Sequence, residues 1–187
     1  MSYKSILAVA GIAAHRGGGK MKKAFLVFAL VVMTMVSSVF AQELWGGTQY
    51  GMSLNEVKGV VADGIAPKDP GTLKGGAVEL LRKNNINIVN NLFMASFFFK
   101  DEKLVQVTLK LNSGYAESQG RTVFRSLREA LTVKYGQELS SEASSLSSSV
   151  TWMAANTNII LFYMPMGDAS VLNVNYQVRL SKEAGKL

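Results

Sequence analysis

Over residues 172–180 the chain alternates without a break. Leu172, Val174, Tyr176, Val178 and Leu180 fall on one side, and Asn173, Asn175, Gln177 and Arg179 on the other. A period of two is the signature of a strand, and a strict apolar/polar split means a sheet with one buried and one wet face. No other feature restricts the fold so tightly. The pattern recurs at Val105, Val107, Leu109 and Leu111, which alternate with Gln106, Thr108 and Lys110. Upstream lie a Phe-rich apolar run (92–99) and the polar turn Lys100-Asp101-Glu102-Lys103, so residues 93–111 are predicted to form a β-hairpin within a strand region spanning 77–111. Further strands are expected over 149–154 and 158–164, closed by Ala155-Asn156-Thr157 and by Pro165-Met166-Gly167-Asp168.

Two helices break the strand pattern. Ser53-Leu54-Asn55-Glu56 spells a capping box, flanked by Met52 and Val57 in staple positions, with Val57, Val60 and Val61 as its apolar stripe and Gly64 as its stop. Residues 66–76, rich in Pro and Gly, read as a loop, and residues 42–50 as an edge strand or extended arm. The second helix is predicted over 113–135. Val123, Phe124, Leu127, Ala130, Leu131 and Tyr135 share one face and Gly136 ends it, while Gly120 weakens its first turns. The serine-rich stretch 140–149 reads as a mobile loop. The order helix, strands, helix, strands predicts an α+β two-layer sandwich. Its antiparallel sheet would have about five or six strands with both helices on one face, and the element order suggests two αβββ-like halves.

The start of the chain sets the expected compartment. Met21-Lys22-Lys23, the apolar run 24–36, and Val39 and Ala41 make up a secretory signal peptide over 21–41, with cleavage between Ala41 and Gln42. Residues 1–20 are expected to be leader from a misplaced start, which leaves one mature domain over 42–187. Five of the 20 basic residues precede Gln42 and none of the 13 acids does, so the mature part carries 15 basic against 13 acidic side chains, a net of +2. Such a balance argues against nucleic acid as a partner and against a membrane anchor after cleavage. The expected location is the periplasm or the exterior. Cysteine is absent, and the single histidine, His15, precedes the cleavage point. Thiol nucleophiles, Ser-His-Asp triads, His-ligated zinc and haem held by His or Cys are thereby excluded from the mature domain. No catalytic residue, metal ligand or cofactor is assigned.

Several side-chain groups are candidate sites. Within Phe97-Phe98-Phe99, Phe98 must point away from its neighbours. With Trp45 and Tyr50 it forms a candidate binding patch beside the 140–149 loop, unless an arm or loop covers it. Arg121, Arg125 and Arg128 stand at helical spacing, but Glu117 and Glu129 lie four residues from Arg121 and Arg125, the usual arrangement of a solvated face. Met164 and Met166, joined by Met52, Met94 and Met153, would suit Cu(I), although Met is ordinary core filler. The neighbouring Asp101 and Glu102 are better placed for solvent than for a glycosidase pair.

Three elements carry a resemblance: Gly51-Met52-Ser53-Leu54-Asn55-Glu56-Val57-Lys58, the hairpin ending Lys103-Leu104-Val105-Gln106-Val107, and Leu131-Thr132-Val133-Lys134-Tyr135-Gly136 followed by Trp152. Together they resemble small exported bacterial domains of unknown function with a WGMS-x-x-EVK…KYG…W pattern. More distantly they are similar to SmpA/BamE-like and β-lactamase-inhibitor-like domains. The resemblance implies short helices on an antiparallel sheet and binding of other proteins; it implies no catalytic residues. The lipid-bearing Cys of the lipoproteins is missing here. The expectation is therefore an exported, non-enzymatic domain that binds a protein or a small apolar ligand, of no assigned oligomeric state. The alternatives are an enzyme working through carboxylate and Tyr groups, or a structural component of the envelope.

Overall fold

In the computed structural model, which describes residues 42–112 and 117–179, one antiparallel sheet organises the chain. Its strands are β1 (Val78–Ile88), β2 (Asn91–Lys100), β3 (Lys103–Leu111), β4 (Ser140–Ala143), β5 (Ser148–Ala154), β6 (Thr157–Met166) and β7 (Ala169–Val178). Their order across the sheet is β1-β2-β3-β7-β6-β5-β4. Two meanders thus run outward from a central β3–β7 seam, where Val107 pairs with Tyr176 and Leu109 with Val174. The helices are α1 (Leu54–Val60) and α2 (Glu117–Tyr135). Residues 1–41, with the expected leader and signal peptide, lie outside the described residues, as do Leu180 and the predicted start of the second helix at 113–116.

The expected five- or six-stranded α+β sandwich is corrected by this topology: the fold is a single seven-stranded sheet with two helices, dominated by β structure. Part of the reason is the serine run. Rather than a loop, Ser140–Ala143 is a strand paired with Ser148–Thr151. Backbone hydrogen bonds are enough to form it, because all four of its residues are exposed and no apolar alternation is required. The supposed halves are also unequal, with three strands after α1 and four after α2. Nor do the helices share the work of covering the sheet. The 19-residue α2 packs on β5, β6 and β7, whereas α1 has only 7 residues and contributes one fully buried side chain, Val57.

The buried face of the sheet is the one the alternation marked. Phe93, Phe97, Leu104, Val107, Trp152, Ile159, Leu161, Leu172 and Val174 are all shielded there. From α2 come Val123, Phe124, Leu127 and Leu131, with the Phe124 ring 5.7 Å from that of Tyr163. Gly120 marks the closest approach of α2 to the sheet. A Cβ there would run into the Ser170 side chain and come within 3.1 Å of the Tyr163 ring. Its helix-weakening flexibility is thus accompanied by close packing.

Residues 42–50 fold back as a small hairpin rather than a plain arm. Glu43 bridges Gln49, and Gly46 and Gly47 turn the chain at φ of +65° and +78°. The 62–77 segment follows the outer side of β1. Ile65 and Arg82 exchange backbone bonds of 2.8 Å, and Glu79 N–H donates to the Gly71 carbonyl at 2.8 Å.

Candidate functional site

The three residues of the expected patch have different surroundings. Trp45 is half-buried, tilted at 51° against Phe97 with ring centroids 6.3 Å apart, so it serves the core face. Phe98 points the other way, as alternation requires, but is only 7% exposed. The chain at Gly71 covers it; a Cβ on that glycine would sit 3.6 Å from the Phe98 ring. Tyr50 remains 41% exposed. The structure does not join these three into one surface, and the 140–149 segment is occupied by the β4–β5 hairpin.

Tyr50 borders a groove instead. Three local features assemble it. Gly51, at φ +83°, turns the chain so that its N–H donates to the Leu104 carbonyl while Leu104 N–H donates to Met52, both at 2.8 Å; Tyr50 is thereby held beside the start of β3. A β-bulge then follows: Phe99 pairs with Leu104 and Phe98 with Gln106, which leaves Val105 as the extra residue. The third feature is the loop of Leu73, Lys74, Gly75 and Ala77. With Gln106, Gln177 and Val178 these elements enclose about 670 Å³, and the β2–β3 turn contributes Lys100, Asp101 and Lys103. That volume falls within the range of about 300–1,000 Å³ usual for small-molecule sites.

Beneath the same loop lies the most buried charge of the described residues. Glu79 is 2% exposed. It accepts from Arg82 Nε and from Arg82 Nη2, each at 2.7 Å, and from Gly71 N–H at 3.1 Å. Burial pushes its pKa up, but the hydrogen bonds from Arg82, Ser96 and Gly71, aided by the Arg82 charge, more than offset this and hold the carboxyl below its ordinary value. Residues three apart on a regular strand face opposite ways. A bulge between Glu79 and Leu81 brings Glu79 and Arg82 to one side, opposite Phe98 and Ser96. This pair anchors the loop that roofs Phe98 and walls the groove.

A smaller cavity of about 280 Å³ is bordered by Glu43, Lys134, Tyr135, Thr157 and Tyr176 among others. Tyr176 is buried, and burial together with the Tyr135 phenol pushes its hydroxyl pKa upward, so it stays protonated near neutrality.

The other candidates are spread out. Met94 on β2 and Met164 on β6 are separated by β3 and β7, a span of roughly 14 Å at the usual strand spacing. Met153 lies on β5, where its sulfur accepts from Arg179 at 3.5 Å. Among the described residues no three His, Cys, Asp or Glu side chains gather as a metal-holding group. On α2, Arg125 and Glu129 are exposed, and the described ion pair is Arg128–Glu138, at 2.6 and 2.7 Å. The Arg128 hydrogen bonds draw the Glu138 pKa down. Asp101 and Glu102 are exposed on the two-residue β2–β3 turn, with φ of +49° and +62°.

Sequence reasoning missed the groove because its parts come from residues 50, 73–77, 100–106 and 177–178, which only the folded loop brings together. The one local hint was the lysine at each end of the Lys100-Asp101-Glu102-Lys103 turn. Comparison with known proteins adds nothing to this geometry: no family model, no curated protein and no solved structure matches the chain.

Proposed function

We propose that this chain is an exported, non-enzymatic binding module of the bacterial cell envelope, and that it takes a small, mainly apolar ligand in the groove beside Tyr50. The observation that carries the reading is the groove itself: about 670 Å³ lined by Leu73, Ala77, Val105 and Val178, with the exposed Tyr50 ring at its border. Apolar lining with a few placed polar groups is how small-molecule sites are commonly built. Three carboxylates are committed to a helix cap or an ion pair. Glu56, Glu79 and Glu138 all have pKa values displaced downward, so each is a poorer proton acceptor than an ordinary carboxylate, and the Tyr176 phenol is displaced upward.

The test is titration of the mature chain with a neutral apolar fluorophore such as N-phenyl-1-naphthylamine. Saturable one-to-one binding is expected. Val105→Trp, which fills the groove from the bulge, should abolish it while the circular dichroism spectrum and melting temperature stay close to those of the parent. Failure of the parent chain to bind would sink the reading, and so would undiminished binding by the folded variant. The proposed export has its own test: protein recovered from an envelope fraction should begin at Gln42.

A further inference from the structure

Lys100 and Lys103 are direct cross-strand partners where β2 turns into β3. Like charges opposite one another in a hairpin destabilise it. The turn between them holds two non-glycine residues, Asp101 and Glu102, at positive φ, so this corner gains no relief from its backbone. Lys74 reaches the same groove from the loop, and Asp101 is the one acid on the lining. None of the three lysines is in a salt bridge among the described residues. Glu56 is near enough to feel Lys103, but its carboxylate already accepts from Ser53 N–H and Oγ, each at 2.7 Å. A mature chain of net charge only +2 therefore places three ammonium groups and one carboxylate around a single apolar groove.

We infer that the ligand of this groove is a free single-chain fatty acid, its carboxylate held among Lys74, Lys100 and Lys103 and its chain lying along Val105 and Val178. The inference rests on the binding reading above and adds the sign of the head group. Uncompensated lysines beside an apolar surface suit a molecule that is anionic at one end and apolar at the other. A free molecule fits better than a bilayer surface, because three lysines fall short of the four to eight clustered cations that hold a protein to anionic lipid.

The experiment compares dodecanoate, dodecanol, dodecyltrimethylammonium and phosphatidylglycerol vesicles by calorimetry on the mature chain at low and high salt. Dodecanoate should bind about tenfold more tightly than dodecanol, and the advantage should shrink with salt as exposed charges are screened. In K100Q/K103Q the advantage should disappear while dodecanol binding persists. The unliganded variant should melt above the parent, because a repulsion has been removed; lysines with a merely structural role would lower the melting temperature. Equal binding of dodecanoate and dodecanol overturns the head-group inference and leaves the groove reading standing. Binding of none of the probes removes both. Tighter binding to vesicles than to monomeric dodecanoate assigns the lysines to a membrane surface. A change in sedimentation of the ligand-free K100Q/K103Q variant assigns the groove to a second copy of the chain. Either of these results overturns the proposal.

Discussion

The two meanders that meet at the β3–β7 seam are finished in different ways. The β4–β7 side lies under a 19-residue helix whose apolar stripe fits the strands so closely that Gly120 leaves no room for a methyl group. The β1–β3 side has a 7-residue helix, a folded-back arm and a long loop held by one buried ion pair. A regular helix seals a sheet. Irregular cover holds at discrete points, and between them it leaves the groove at Tyr50. The same contrast separates the ion pairs. Glu79–Arg82 is enclosed and fixes a loop, while Arg128–Glu138 is open to solvent.

The sharpest way to break this contrast is Arg82→Met. It strands the buried Glu79 carboxylate and is expected to cost about 3 kcal/mol, read from urea unfolding. The acid limb of the pH profile should also flatten. In the parent the Glu79 pKa is lowered by folding, so its contribution is present above the unfolded carboxyl pKa and is lost as pH falls through the folded value. In the variant the Arg82 hydrogen bonds and charge are gone, so burial is opposed only by Ser96 and Gly71, the folded pKa moves up, and less stability is lost on acidification. An unchanged acid limb would show that the loop does not depend on this pair. Gly120→Ala probes the other side. Helix propensity alone predicts a gain of about 1 kcal/mol, whereas the collision with Ser170 predicts a net loss of about 2 kcal/mol. A higher melting temperature would mean that α2 sits more loosely than described. Ser53→Ala removes the capping box of α1 and should cost about 1 kcal/mol, with amide exchange rising first in residues 54–60. The smallest effect is expected from Arg128→Met, below about 1 kcal/mol and fading with salt. A loss comparable to that of Arg82→Met would erase the distinction between the two pairs.

What sequence reading recovered follows from which features are local. The Ser53–Glu56 cap forms as spelled, because both partners lie within one turn. The 93–111 hairpin forms and the 171–178 strand keeps its alternation, but the bulge takes Val105 out of the β3 pattern and buries Leu104 instead; Gly136 follows the last residue of α2 at φ +83°. The misses all involve backbone or bulges. β4 is held by main-chain pairing with exposed side chains, which leaves no periodic trace. Glu79 and Arg82 share a side only because of a bulge that the side-chain pattern does not announce. The cover over Phe98 comes from neither the 42–50 arm nor the 140–149 stretch but from Gly71, a glycine whose N–H is held by the carboxylate of that same ion pair.

The margins of the sheet have a consequence for self-association. Along Val78–Arg82 the outer rim of β1 is already taken by Ile65, Gly71 and Thr72, and register shifts disturb the rest of that strand. The opposite rim, β4, is four residues long and carries Glu142. Stacking molecules into a fibril would require two receptive rims on every copy, and among the described residues the β1 rim is already occupied along Val78–Arg82. Joining through the β4 rims alone would stop at a closed pair.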